Sequence, residues 1–250
     1  MKKILILALL ITLPILVFAA DFTRSAGGGA FLGYTFTRYN LEGNNDVGSN
    51  VLLTQDMDRV NYGAFVFFDF TYGIFSFAFQ SANNSYSEIM TIAGERIPNT
   101  DQIGTGSEMS LNFSLLLKYP FTLRNDLFLF PMLGIEYQVA LRQMRHPDGE
   151  IYKYDRTKGE WITDRDKDGN PFPLSAWNAV VINVGAGLDY FFTDNIFLRS
   201  KLLIGFRLPT GYELGALEVV KNPPTNIVGE PKLGGFNGSP TLKIAVGYRF

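Results

Sequence analysis

Eight stretches of this chain obey one two-residue rule, and that rule limits the possible folds more than any other feature. At the C-terminal end, "TLKIAVGYRF" puts Leu242, Ile244, Val246, Tyr248 and Phe250 on one side of an extended strand and Thr241, Lys243, Ala245, Gly247 and Arg249 on the other. Residues 61–70 set Tyr62, Val66, Phe68 and Phe70 against Asn61, Gly63 and Asp69, and residues 74–82 set Phe75, Phe77 and Phe79 against Ser76, Ala78 and Gln80. The rule recurs over 107–119, 127–141, 178–191 and 196–207, and in a shorter form over 28–39. No helical period competes with it, so an all-β fold is expected.

The spacing between these segments alternates. A few residues join some pairs, as at "DFTYG" and "YFFTDN", while roughly 20 to 35 separate the others. Tight turns at one end and long connections at the other are the mark of an up-and-down antiparallel sheet with one end facing outward. No domain boundary interrupts the pattern. A ten-stranded wall stays open as an alternative, because "EIYKYD" and "EWITD" flank "RTKG" in the longest connection and can pair as a hairpin.

Alternation alone does not say which face is buried, but the minor face does. A strand face in water carries polar residues throughout; here it is mixed with Gly63, Ala78, Gly134, Gly185, Gly187, Gly205, Ala245 and Gly247. Small residues with a few charges suit the narrow interior of an eight-stranded barrel. Inward Glu108, Glu136 and Asp189 are then expected to pair with Arg199, Lys201, Arg207, Lys243 and Arg249, since buried charge is tolerable only when paired. Ten tilted residues span roughly 25 Å, the height of an outer-membrane apolar band. Tyr62, Tyr119, Tyr137, Tyr190, Tyr248 and Phe250 fall near strand ends, where interfacial aromatic rings sit. In a bilayer every backbone group needs a partner, so the last strand must meet the first.

Composition agrees: aromatic residues make up 14% of the chain and charged residues only 18%. The opening "MKKILILALLITLPILVFAA" has a basic start, an apolar run from Ile4 to Phe18, and the small Ala19 and Ala20. It reads as a cleaved signal peptide over 1–19, leaving one barrel domain over 21–250. With no cysteine there is no disulfide framework, thiolate metal site or lipid-modified cysteine. The net charge of −2 gives no reason to expect nucleic acid as a partner.

The final "AVGYRF" resembles the assembly signal of bacterial outer-membrane β-barrels, and "GAGLDYFFTDNIFLR" resembles the sixth strand, short turn and seventh strand of small outer-membrane proteins. As a pattern, the mature chain resembles the eight-stranded group that includes OmpX, OmpW and the transmembrane domain of OmpA. That resemblance implies an up-and-down transmembrane barrel in the outer membrane, with both termini periplasmic and four loops at the cell surface. It implies that Val246, Tyr248 and Phe250 are read by the barrel-assembly machinery. No OmpA-like peptidoglycan-binding domain is expected after the barrel.

Four polar or irregular features invite chemistry. In "DRDKDGN", Asp164, Asp166, Asp168 and Asn170 with Gly169 match the opening of a calcium loop, but Ser175 stands where the bidentate carboxylate belongs, and a solvated Asp-Gly turn is the competing reading. Tyr152, Tyr154 and Trp161 in the same connection form either a sticky surface or a cap on the barrel mouth. Pro131 falls inside the fifth segment, where it cannot donate to a ladder; either it is tolerated at a bulge or, with Phe65, Phe67, Phe128 and Phe130 in inward phase, it marks access for an apolar ligand. His146, the sole histidine, lies beyond the fifth segment and far from Ser200, so no enzyme is expected. The expected role is structural, adhesive or surface-interacting through the loops, with a host or surface ligand as partner besides the lipid bilayer. A small OmpW-like channel or carrier for apolar molecules is the alternative. No cofactor is expected beyond the calcium match.

Overall fold

The computed structural model describes residues 24–45, 50–96, 102–144, 152–155, 160–163, 174–208 and 227–250. Eight long strands make the wall: β1 (Arg24–Asn45), β2 (Asn50–Phe70), β3 (Gly73–Ile92), β4 (Gln102–Lys118), β5 (Leu127–Met144), β6 (Ala179–Phe191), β7 (Ile196–Arg207) and β8 (Ile227–Arg249). Each pairs antiparallel with its chain neighbours, and β8 pairs with β1, so the sheet closes on itself. The Phe250 N–H donates to the Arg24 carbonyl at 2.9 Å, completing the seam. The fold is an all-β, up-and-down, eight-stranded barrel, as the alternation predicts. The hairpin that a ten-stranded wall would recruit is, among the described residues, a separate two-stranded sheet, Tyr152–Asp155 against Glu160–Thr163.

The phase is also as expected, with bulky residues outward. Leu117 is 63% and Leu32 59% exposed on the outer face, whereas Arg199 and Lys201 are 1% exposed inside. An apolar exterior around a charged interior is the inverse of a water-soluble barrel and fits a bilayer. At the lower end, which carries Arg24 and Phe250, exposed rings stack in a belt. Tyr72 meets Tyr119 at 6.1 Å, Tyr119 meets Phe121 at 5.0 Å, Tyr190 meets Phe192 at 5.1 Å and Tyr248 meets Phe250 at 5.5 Å.

The connections differ from expectation at the upper end. Long loops were expected after the first and third segments, but β1 and β2 pair without interruption from Arg24↔Phe70 to Asn44↔Asn50, and β3 pairs with β4 as far as Glu88↔Gln102. The alternation fades above Tyr34 and Tyr62 because neither face is apolar there. Period two reports a half-buried face, whereas hydrogen bonding makes the strand. β3 ends in a two-residue turn in which Ala93 (φ 53°) and Gly94 (φ 83°) both take left-handed conformations before Glu95 and Arg96 pair back onto it.

Pro131 lies in β5 opposite Ala186, facing outward and with no bulge in the β5–β6 register. The β4–β5 ladder reaches Lys118↔Met132 and stops there. Tyr119 donates one more backbone bond to the Pro131 carbonyl at 3.3 Å, and Pro120, itself without an N–H, follows. The two prolines therefore face a break between ladders, above the short strand Phe121–Arg124 that pairs with the start of β5.

The lumen is narrow enough that its glycines are spaces for rings. A Cβ on Gly247 would stand 2.2 Å from the Phe197 ring, and one on Gly187 would stand 2.3 Å from Phe130. The small residues that mark the inner face in sequence thus alternate with buried aromatics that fill the space they leave.

Candidate functional site: a two-storey lumen

The lower storey is a packed plug. Arg199 on β7 is held by Asp189 on β6 through two hydrogen bonds, Nε to Oδ1 at 2.7 Å and Nη2 to Oδ2 at 2.6 Å. Nη2 also reaches Asp69 on β2, whose Oδ2 accepts Lys118 Nζ at 2.6 Å. Rings close around this group: the Arg199 guanidinium carbon lies 4.6 Å from the Phe67 centroid, 5.0 Å from Phe197 and 5.2 Å from Phe130, while Lys118 lies 4.7 Å from Phe130. Ile74 and Leu116 complete the buried cluster. Two carboxylates, two cations and quadrupolar ring faces offset one another's charge in a site where an unpaired charge would be costly, although Asp69 Oδ1 and Arg199 Nη1 make no hydrogen bond.

The upper storey is polar. Arg59 pairs with Glu108 at 2.9 Å, and Glu108 also accepts Asn84 Nδ2 at 2.7 Å. Glu136 accepts Lys243 at 3.4 Å on one oxygen and Asn112 and Gln138, at 3.1 and 2.9 Å, on the other. Thr35 links this layer to Asn61 at 2.6 Å and to Ser239 at 2.7 Å. At the rim, Trp177 packs against Ala140 beside the single helical turn Leu174–Trp177.

Of the residues expected in the lumen, Asp189 meets Arg199 and Glu136 meets Lys243 in the structure. Three partners escaped the sequence reading. Arg59 lies just before the periodic stretch that begins at residue 61, and Asp69 and Lys118 stand beside tight turns, but all three share the inward phase. Two expected pairings are corrected. Lys201 is buried on the inner face, yet its ammonium has no hydrogen-bond partner and lies over the Phe65 ring at 4.9 Å. Arg249 is not in the network. It covers the Phe191 ring at 4.4 Å and donates to the Asp194 carbonyl at 2.5 Å, tying β8 to the β6–β7 turn, because its register places it at the lower rim below the lumen. Arg207 is inward and buried; its backbone N–H and carbonyl are bound by Asn237 Oδ1 and Nδ2 at 2.7 and 2.5 Å where β7 ends.

Val246, Tyr248 and Phe250 are outward and exposed, with Phe250 at the belt. Ser200 is outward in mid-strand, opposite Leu188 and Ile244. His146, and the calcium-loop residues Asp164, Asp166, Asp168 and Asn170, lie outside the described residues, as does the signal-peptide segment. Among the described residues no cluster of His, Cys, Asp and Glu has the geometry of a metal site.

A closed barrel with an apolar belt outside, aromatic rings at its edge and paired charges inside is a transmembrane β-barrel of the outer-membrane kind. No protein-family model matches the chain, and no curated protein does. Among solved structures it is similar to the outer membrane protein OprG of Pseudomonas aeruginosa, at 11% identity over 92% of this chain and 96% of that one, with a TM-score of 0.44. It is also similar to the N-terminal β-barrel domain of OprF from Pseudomonas aeruginosa, at 13% identity over 90% and 99% of the chains and a TM-score of 0.30. A third is Ail, the attachment invasion locus protein of Yersinia pestis, at 12% identity, 92% and 100% coverage and a TM-score of 0.29. Nothing about this chain's function follows from likenesses at these values.

Proposed function

We propose that this chain is a non-conducting outer-membrane barrel with a structural and surface-interaction role, acting through the sheet and loops raised above the bilayer. The observation that carries this reading is the contrast between its two ends. The lower lumen is filled by Phe67, Phe130, Phe197 and the Arg199 ion pairs, while β1 and β2 stay paired as far as Asn44↔Asn50, well above the outward Tyr34 and Tyr62. A solute path would need the plug dismantled, whereas a binding surface needs only a rigid support for exposed backbone and loops. The carrier alternative has less in its favour, since Phe65, Phe67 and Phe130 belong to one buried cluster in which Phe67 and Phe130 close on the Arg199 guanidinium. No catalytic role or cofactor is part of this reading.

The test has two readings on one purified and one cell-borne protein. In planar bilayers the wild-type protein is expected to show no discrete conductance steps. In cells, replacing residues 42–52 with Asn-Gly is expected to lower adherence to an epithelial monolayer while the barrel keeps its heat-dependent gel mobility. Regular conductance steps, or full adherence after trimming both this hairpin and residues 145–172, would overturn the proposal.

A further inference from the structure

Above the plug, the lumen holds a cavity of about 30 Å³ walled by Thr35, Asn61, Glu136, Asn183, Thr241 and Lys243, among others. Space of that order admits about two waters. Two wall charges already answer each other, since Lys243 donates to Glu136 Oε2 at 3.4 Å. What the wall leaves open is neutral. Asn183 Nδ2, a donor, and Asn61 Oδ1, an acceptor, make no hydrogen bond, although their residues are only 6% and 4% exposed. Turning the Asn61 amide over would not help, because its Nδ2 is the atom that meets Thr35 Oγ1 at 2.6 Å, and the exchange would orphan Nδ2 instead. Asn61 stands on β2 and Asn183 on β6, four places apart in an eight-stranded ring, so they face the cavity from opposite sides.

We infer that this cavity is a built hydration site, in which two waters bridge β2 to β6. The first accepts from Asn183 Nδ2 and donates to Glu136 Oε2, whose one hydrogen bond among the described residues is the long contact with Lys243. The second accepts from the Lys243 ammonium, which has N–H groups to spare, and donates to Asn61 Oδ1. A hydrogen bond between the waters gives each three partners, the usual number for a buried water. One orphaned donor and one orphaned acceptor call for a neutral molecule that both accepts and donates, since leaving either unpaired in a buried wall is costly. An ion of either sign would meet a like charge there, Glu136 or Lys243. The lumen is then dry below, where rings close on Arg199, and wet above.

The experiment is a crystal structure of the full barrel at a resolution that places waters, grown with bromide in place of chloride, with Asn183→Leu, a side chain of similar shape, alongside. The wild type is expected to show two peaks without anomalous signal. One lies within about 3 Å of both Asn183 and Glu136, and the other within about 3 Å of both Lys243 and Asn61. Asn183→Leu is expected to lose the first. An anomalous bromide peak in the cavity, a dry cavity with both asparagines bonded to protein groups, or a first peak that persists in Asn183→Leu overturns the inference. If Asn183→Leu does not fold, as judged by heat-dependent gel mobility, Asn61→Leu is used instead. Loss of the second peak there supports the site, and its persistence overturns it.

Discussion

Arg199 and Asp189 face each other across the β6–β7 ladder and meet through two parallel hydrogen bonds of 2.7 and 2.6 Å. Their planes fit as a guanidinium fits a carboxylate, and the geometry leaves Nη2 free to reach Asp69 as well. This ties β2 to β6 and β7 across the lumen, although β2 pairs with neither of them in the wall.

Removing one member should therefore cost far more than removing both. Arg199→Met leaves Asp189 buried without its partner and is expected to lose about 3–5 kcal/mol, the range for breaking a buried pair. The double variant Arg199→Met with Asp189→Leu should recover much of that, because no orphaned charge remains at position 189. Urea unfolding in lipid vesicles, followed by tryptophan fluorescence and gel mobility, measures both. Equal losses in single and double variants would mean that the pair is not the organising contact of the plug.

The Phe197 ring occupies the space a side chain at position 247 would need. Gly247→Val is expected to destabilise the barrel by about 1–3 kcal/mol through overpacking. With Phe197→Ala in the background the same substitution should cost less, since the methyls enter the vacated space. A double-mutant cycle with no coupling between the two positions would contradict this packing.

β7 stops at Arg207 with its backbone held by the Asn237 side chain, which stands in for the next strand residue. Asn237→Ala is expected to expose the Arg207 N–H to exchange, raising its hydrogen–deuterium rate by at least tenfold while amides of Leu202 and Ile204 keep theirs. Net stability should fall by only about 1 kcal/mol, since a hydrogen bond near water is partly replaced by solvent.

The wall was legible in sequence and the plug only in part, for one physical reason. Lipid favours apolar side chains at outward positions, Ser200 being an exception, so the outer face writes a clear period into the sequence, as in Leu115, Leu117 and Leu133, Ile135. The lumen demands only that volumes and charges sum correctly, and any inward residue can contribute. Asp189 and Arg199 were found because both sit inside periodic stretches. Arg59 and Asp69 were passed over at their edges, and Ile74, Leu116 and Phe197 were not recognised as inner-face bulk. Above the bilayer the outward face loses its apolar character, and with it the sequence signal for strands that the backbone nevertheless forms.

The depth of the bilayer along β5 and β3 gives the sharpest check on the whole architecture. Leu133 lies outward between Pro131 and Ile135, 57% exposed and directly opposite Val184 and Leu117 on the neighbouring strands, so its surroundings are apolar on both sides. Asn83 is also outward and exposed, but it stands above Phe79 and Ser81, opposite Val60 and Ser107, where polar residues begin. In water the two positions would tolerate arginine alike, for both side chains would point into solvent. In a membrane they differ: Leu133→Arg should cost about 2–4 kcal/mol and Asn83→Arg about 0–1, following the depth dependence for cations on a barrel's lipid face. Reversible urea titration of both variants in vesicles reads the difference directly. A gap near zero would mean that the apolar band does not face lipid at Leu133, and the assignment of inside and outside would have to be reversed.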